Sequence, residues 1–111
     1  MTRIIGVLAF LIVLSLALGC ASFDRIAVTK FEPLRTEENA QFFKFTAISD
    51  AAYPLNSEQA ERTRINWLET WLRDNGHGDK RYEIVSRVPI LRHNALLGDV
   101  YDIFYEVKVI K

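Results

Sequence analysis

Two stretches of the chain alternate between apolar and other residues in the manner of a strand with one buried face. In residues 41–49 one face carries Phe43, Phe45 and Ala47, while the opposite face is mixed. Side chains repeat every two residues along a strand, so this alternation predicts a strand whose apolar face turns toward a core. The final stretch shows the pattern most strongly, with apolar or aromatic residues at Tyr101, Ile103, Tyr105, Val107 and Val109.

Two further strands are predicted from less regular patterns. Residues 81–88 alternate up to Pro89, and we expect this strand to pair with the last one in antiparallel fashion. The two would be joined through an irregular, partly apolar connection at residues 90–97. Residues 25–31 predict a weak first strand that ends before Pro33.

The clearest element is an amphipathic helix over residues 57–75. When the residues are placed at 100° intervals around the helix axis, apolar ones form one broad stripe. Its members are Ala60, Ile65, Trp67, Leu68, Trp71 and Leu72. Asn56 is placed to cap this helix, with Ser57 as a competing cap. Gly76 follows in the position where glycine commonly ends helices.

Together these elements predict a single α+β domain over residues 41–111. The helix packs on one face of a three- or four-stranded, largely antiparallel sheet. The order along the chain is strand, helix, strand, strand, with a possible extra strand on the amino-terminal side. A chain of this length has room for one such core.

Residues 1–19 have a different composition. A short cationic start ending at Arg3 precedes a run of 16 uncharged, mostly aliphatic residues from Ile4 to Gly19. A helix needs about 20 such residues to cross a bilayer, whereas the core of a secretory signal needs roughly 7 to 15 and ends in small residues. The run therefore favours a cleaved signal peptide.

This segment ends in Leu16-Ala17-Leu18-Gly19-Cys20, which resembles the lipobox of bacterial lipoproteins. In that family a small residue precedes an invariant cysteine; Ala17 and Leu18 stand in the reverse of the commonest order. The resemblance implies a diacylglyceryl group on the Cys20 thiol, cleavage before Cys20 and, usually, acylation of the new amino group. It covers about the first fifth of the chain and implies nothing about the domain.

Lipidation would hold the domain at a membrane, because two or three acyl chains anchor a protein far more firmly than one. Residues 1–19 are then the cleaved signal, and residues 20–40 are the lipidated amino terminus with a short tether or weak strand. Ala21 occupies the place where Asp often signals inner-membrane retention in the family. The resemblance therefore implies the periplasmic face of the outer membrane, in a two-membrane bacterium. Ordinary signal cleavage and an uncleaved anchor are the alternatives.

Charge and cysteine content narrow the function classes. Basic and acidic side chains number 14 each, and removal of Arg3 with the signal leaves 13 against 14. This balance gives no electrostatic basis for binding nucleic acid or an anionic membrane surface. Cys20 is the only cysteine, so the sequence has neither a disulfide framework nor a thiol cluster for a metal.

No catalytic constellation is recognisable in the sequence, which lacks a glycine-rich phosphate loop, a nucleophile elbow and paired histidines at helical spacing. We therefore expect a protein that is not an enzyme and has no metal or cofactor. His77 with Asp79 supplies two possible metal ligands, which are too few for a stable site. His93 beside Arg92 is expected to be an exposed loop histidine.

Three residues are candidates for contact with a partner or an anion. Arg64 lies within the apolar stripe of the helix. Either its guanidinium reaches water, or it pairs in a buried position with a carboxylate such as Asp50 or Asp102. Arg92 is placed to meet an anionic group, and Phe104 lies on the face of the sheet away from the helix.

That reverse face is predicted to mix charged with large apolar residues, among them Phe42, Ile48, Val85, Arg87, Val100, Phe104 and Ile110. Either the segment around Ile26, Val28 and Phe31 covers it, or it is a contact surface. The leading hypothesis is a non-enzymatic envelope lipoprotein that binds another protein, or itself, through the sheet face or edge. The alternative is a small-ligand or lipid-binding module with a pocket between the helix and residues 90–97.

Overall fold

The computed structural model describes residues 28–111. Its elements run in the order β1 (Thr29–Thr36), β2 (Ala40–Ser49), α1 (Glu58–Asp74), β3 (Tyr82–His93) and β4 (Val100–Ile110). The helix packs on one face of a four-stranded antiparallel sheet, which confirms the predicted α+β class. The predicted signal and Cys20 lie outside the described residues.

The strands are ordered β1-β2-β4-β3 across the sheet. The optional amino-terminal strand is therefore present, but it begins at Thr29 and continues past Pro33, where the sequence pattern predicted its end. β1 is an edge strand, and an edge strand tolerates proline because one side of its backbone has no ladder to complete. Its register with β2 shifts between Pro33 and Arg35.

The core lies between α1 and the face that β2 and β4 present to it. The predicted core faces of these strands are confirmed, since Phe45 and Ile103 have no exposed surface and their same-face neighbours are nearly as buried. Burying one such side chain stabilises a fold by about 1.5–3 kcal/mol. The members of this core are Phe43, Phe45, Ala47, Leu68, Leu72, Ile103, Tyr105, Val107 and Val109.

Two contacts join β1 to the helix. The ring of Phe31 stacks on Phe43, with centroids 4.7 Å apart, and on Trp71 at 6.0 Å. The indole Nε1 of Trp71 donates a hydrogen bond to Thr29 Oγ1 at 2.9 Å. β1 is thus fixed at its first residues, while its later residues are exposed.

The helix begins one residue later than a cap at Asn56 would predict. Ser57, rather than Asn56, is the cap, and its Oγ accepts a hydrogen bond from the Ala60 amide at 3.2 Å. The most buried row is narrower than the predicted stripe and follows a spacing of four residues, at Ala60, Arg64, Leu68 and Leu72. Trp67 and Trp71 pack partly buried beside this row.

The other end of the helix is closed by a Schellman motif. The amides of Gly76 and His77 bond back to the carbonyls of Arg73 and Leu72 at 3.1 Å and 2.7 Å. Gly76 has a φ of 82°, a conformation in which an L side chain is strained. Gly76 therefore ends the helix as predicted.

The third strand is longer than predicted. β3 passes through Pro89 and ends at His93, so the first half of the expected irregular connection at residues 90–97 is strand. Like β1, β3 lies at an edge of the sheet, where proline is tolerated. The prediction that Pro89 ends this strand was wrong for that reason.

A register shift in β3 also exchanges its two faces. The pairing with β4 skips a residue between Ile84 and Ser86, as a β-bulge does. Because side chains alternate with a period of two, one extra residue moves the side chains that follow it to the opposite face, up to a second register shift between Leu91 and His93. Arg87 consequently lies opposite Tyr105 on the helix side of the sheet, not on the reverse face where the uninterrupted alternation predicted it.

Candidate functional site

The side chain of Arg64, a residue of α1, is fully buried although it is charged. Its Nη1 donates to the carbonyl oxygens of Ile48 at 3.4 Å and Tyr53 at 3.1 Å, and its Nη2 donates to the Pro54 carbonyl at 3.1 Å. Nε donates to Glu61 Oε1 at 3.2 Å. The guanidinium is therefore held by groups of the chain itself and does not extend into water.

The two carboxylates suggested as partners for Arg64 have other roles. Asp50 accepts hydrogen bonds from two backbone amides of the turn that follows it, at 2.9 Å and 3.0 Å. Asp102 pairs with Arg92. The actual partner, Glu61, stands three residues before Arg64 on α1, and the ordinary i, i+3 spacing of helical pairs is the sequence signal that points to it.

Glu61 is the centre of a cluster between α1 and the sheet. Besides Arg64, it accepts hydrogen bonds from the Tyr105 hydroxyl at 2.5 Å and 2.7 Å and from Arg87 Nε at 3.2 Å. Partial burial raises the pKa of the Glu61 carboxyl, but the hydrogen bonds from Tyr105, Arg64 and Arg87 together leave that pKa below its ordinary value. Burial and the bond to Glu61 raise the pKa of Tyr105 to about 12.

These four side chains form a support for the fold. The pKa of the Glu61 carboxyl and that of the Tyr105 phenol are shifted away from neutrality in opposite directions, so the carboxyl favours its charged form and the phenol its neutral form. The cluster connects α1 to β4 through Tyr105, to β3 through Arg87 and to the β2–α1 connection through Arg64.

The reverse face of the sheet carries the other two candidate residues. Phe104 is half-buried, with Lys44 Nζ lying 4.5 Å from the centre of its ring. Arg92 Nε donates to Asp102 Oδ2 at 3.0 Å, and its Nη2 donates to Asp102 Oδ1. Both candidates line one cleft of about 240 Å³, together with Val28, Thr29, Lys30, Glu32, Lys44, Thr46, Ile48 and Asp102. The structure brings Phe104 and Arg92 together and leaves Arg64 on the opposite side of the sheet.

The expected cover of this face is only partly present among residues 28–111. Phe31 was expected to cover the reverse face, but it packs on the helix side against Phe43. Phe42 is instead shielded by the Arg35 guanidinium, which lies 3.9 Å from its ring centre. Val28 does reach the reverse-face cleft, while Ile26 lies outside the described residues.

Exposed apolar side chains lie along β3 and in the loop that connects it to β4. Their exposure is substantial on both faces of the strand, as the 53% exposure of Ile90 and the 48% exposure of Leu91 illustrate. The set comprises Ile84, Val85, Val88, Ile90, Leu91, Leu96 and Leu97. Exposed apolar residues grouped on an edge strand are a usual feature of contact surfaces. The sequence signal for this surface is that both alternating sets of residues 84–91 contain large aliphatic side chains.

Neither histidine belongs to a cluster of possible metal ligands in the described part of the chain. The ring of His77 packs against Phe43 at 5.3 Å, and Lys80 Nζ lies 3.4 Å from its Nδ1. Burial and the nearby Lys80 charge lower the pKa of His77. Across residues 28–111, no group of three or more His, Cys, Asp or Glu side chains is placed to hold a metal ion.

Within the same described range, no helix has both the length and the apolar character needed to cross a membrane. Comparison of the chain with protein-family models, with curated proteins and with solved structures found no match.

Proposed function

We propose that this protein is a bacterial envelope lipoprotein, anchored through acyl chains on Cys20, whose domain is a non-enzymatic module that binds another protein or a second copy of itself. The lipobox-like segment supports the anchor and, through Ala21, the periplasmic face of the outer membrane. The observation that carries the binding role is the exposed apolar surface along β3. We place the contact on this edge and on the adjoining part of the reverse face, where Val88 stands opposite Phe104.

Two features of β3 favour a protein partner. Its outer backbone edge is unpaired within the sheet, because β4 lies on only one side of it. Protein partners commonly use such edges by adding a strand, and side chains on alternate faces then give specificity. Pro89 removes one backbone donor from β3, so we expect contacts of the apolar side chains to contribute more than a continuous backbone ladder.

The anchor is tested by intact mass analysis of the protein extracted from membranes. We expect a chain that begins at Cys20 and carries the added mass of a diacylglyceryl group and an amide-linked acyl chain. Cys20→Ala is expected to prevent this maturation. A Cys20→Ala protein that matures and sediments with membranes as the parent does would contradict the proposal.

The contact surface is tested with a matched pair of substitutions on the two edge strands. Val88→Glu places a charge in the exposed apolar surface of β3, whereas Leu34→Glu does the same on β1, where Leu34 has similar exposure. In crosslinking of intact cells followed by purification, we expect Val88→Glu to lose the crosslinked species and Leu34→Glu to retain it. Phe104→Asp is expected to act like Val88→Glu. Retention by Val88→Glu, or its unfolding under conditions in which Leu34→Glu stays folded, would contradict the proposal.

The reverse-face cleft supports a second candidate, the binding of a small anionic ligand or lipid. Lys30, Lys44 and Arg92 line this cleft of about 240 Å³ together with only two carboxylates, Glu32 and Asp102. Native mass spectrometry of the full chain in detergent would show a bound small molecule that is lost in Lys44→Glu. Repeated absence of such a molecule from the parent protein would count against this candidate.

A further inference from the structure

One end of the sheet gathers the point where the chain enters the domain and the loop between β3 and β4. Thr29 at the start of β1 pairs with Ala47 near the end of β2. At the same end, His93, the last residue of β3, pairs with Val100, the first residue of β4. Val28 and Arg92 line the same cleft, which confirms that the two sides of this end are close.

The β3–β4 loop at this end exposes two leucines. Leu96 is completely exposed and Leu97 is 86% exposed. Residues 94–98 carry no charged side chain, and their turn is closed by a hydrogen bond from the Gly98 amide to the Ala95 carbonyl at 3.2 Å. Water solvates such apolar side chains unfavourably, so an apolar environment would stabilise a pair of adjacent leucines at a loop tip.

The opposite end of the sheet has a different character. The β1–β2 turn there contains Glu37 and Glu38, and the α1–β3 loop contains Asp79 and Lys80, all of which are exposed. The loop at the end where the chain enters is thus uncharged over residues 94–98, with Asp50 and Asp99 beside it, whereas the turns at the far end carry charge at their tips. This polarity along the strand direction matches a protein with one end at a lipid surface.

We propose that Leu96 and Leu97 insert into the interface of the bilayer and hold the entering end of the sheet against the membrane; this inference rests on the proposed lipid anchor at Cys20. Val28 stands eight positions after Cys20, and an extended chain of eight Cα–Cα steps spans at most roughly 29 Å. The tether thus keeps the loop near the lipid at a high effective concentration. Insertion orients the domain, with the charged end directed away from the bilayer.

The test places a reporter on the loop of the complete lipidated protein. The lipid occupies the only native thiol in the proposed mature chain, so Leu97→Cys introduces one reactive thiol for an environment-sensitive fluorophore. Asp79→Cys at the charged end is the matched control. After reconstitution into vesicles of phosphatidylethanolamine and phosphatidylglycerol, we expect nitroxide-bearing lipid to quench the label at 97 at least several-fold more than the label at 79. Aqueous iodide should show the reverse preference.

A further substitution separates insertion from anchoring. Leu96→Asp in the Leu97→Cys background is expected to abolish lipid quenching while the protein still sediments with the vesicles. If the label at 97 is as accessible to iodide as the label at 79, the insertion proposal is overturned and the anchor stands. If the label at 97 is shielded from iodide but is not quenched by lipid, protein covers the loop, which also overturns insertion. A chain that lacks acyl mass and does not sediment overturns both proposals.

Discussion

β4 and β3 lie side by side and both carry many apolar residues, yet only β4 is buried. Ile103 on β4 has no exposed surface, whereas Ile90 on β3 is 53% exposed. β4 has a strand on each side and contributes to the core beneath α1, while β3 forms an edge. An apolar sequence is thus buried only where neighbouring elements cover it. β4 supports the fold, and β3 leaves apolar side chains exposed.

The largest loss of stability is expected from Arg64→Ala, on the covered side of the sheet. The substitution removes the donor to one carbonyl of β2 and two carbonyls of the β2–α1 connection, and it removes one partner of Glu61. Breaking a buried charged pair costs about 3–5 kcal/mol. Urea unfolding of the full chain in detergent, followed by tryptophan fluorescence, measures this loss.

Arg62→Ala is the matched control for that substitution. Arg62 pairs with Glu58 at 3.6 Å on the exposed side of the same helix. Exposed pairs of this spacing contribute about 0.3–0.5 kcal/mol. Equal losses for Arg62→Ala and Arg64→Ala would show that the buried arginine is not a support of the fold.

The comparison of the two strands is tested most directly by Ile103→Ala and Ile90→Ala. Deletion of a buried isoleucine side chain removes hydrophobic contacts and leaves a cavity, for which we expect a loss of about 2–5 kcal/mol. The same change at the exposed site should alter the free energy of unfolding by no more than about 0.5 kcal/mol. A large loss from Ile90→Ala would mean that β3 is covered in the folded protein, and the contact surface would then lose its basis.

The same contrast explains what the sequence predicts well. β2 and β4 were predicted correctly because each has one uniformly apolar face, and alternation reports burial directly where a helix covers that face. The sequence pattern predicts strand ends at Pro33 and Pro89, but both prolines lie on edge strands. Whether a strand is at an edge depends on sheet order, which a pattern within one strand does not contain.

The candidate residues show a similar limit. The helical angle of Arg64 placed it in the apolar stripe, and its burial follows from that position. Two of its three carbonyl partners are in the β2–α1 connection, whose conformation has no periodic signal. Arg87 was assigned to the wrong face because a single-residue bulge reverses the alternation of β3. Cys20 was selected on a local motif alone, and it lies outside the described residues.

At acid pH, the stability of the folded protein should depend on the ionisation of Glu61. Its pKa in the folded protein is lowered by hydrogen bonds that outweigh the effect of burial. The folded state therefore favours the ionised carboxylate, and this contribution is present above the ordinary glutamate pKa and lost as the pH falls through the lower folded value. Urea midpoints measured at decreasing pH should fall less steeply in Glu61→Gln than in the parent. Identical slopes would contradict this assignment.

At alkaline pH, the stability of the folded protein should depend on the ionisation of Tyr105. Burial and the bond to Glu61 raise the pKa of its phenol to about 12. The unfolded phenol loses its proton near pH 10, so stability should be retained below that value and lost as the pH rises toward about 12. Tyr105→Phe should reduce this alkaline loss without removing it, because the pKa of Tyr82 is also raised to about 12. An unchanged alkaline profile in Tyr105→Phe would be evidence against the coupling to Glu61.

The smallest expected effects distinguish the two faces of β3 itself. Arg87 reaches across the helix side to Glu61 at 3.2 Å, whereas Arg92 pairs with Asp102 on the more exposed reverse face. We expect Arg87→Ala to lower the free energy of unfolding by about 1 kcal/mol, and Arg92→Ala by about 0.5 kcal/mol or less with a further decrease in high salt. Both are measured by urea unfolding at low and high ionic strength. The reverse order of losses would mean that β3 is held to the sheet mainly through its outer face, and the apolar surface beside Arg92 would then belong to the fold rather than to a partner.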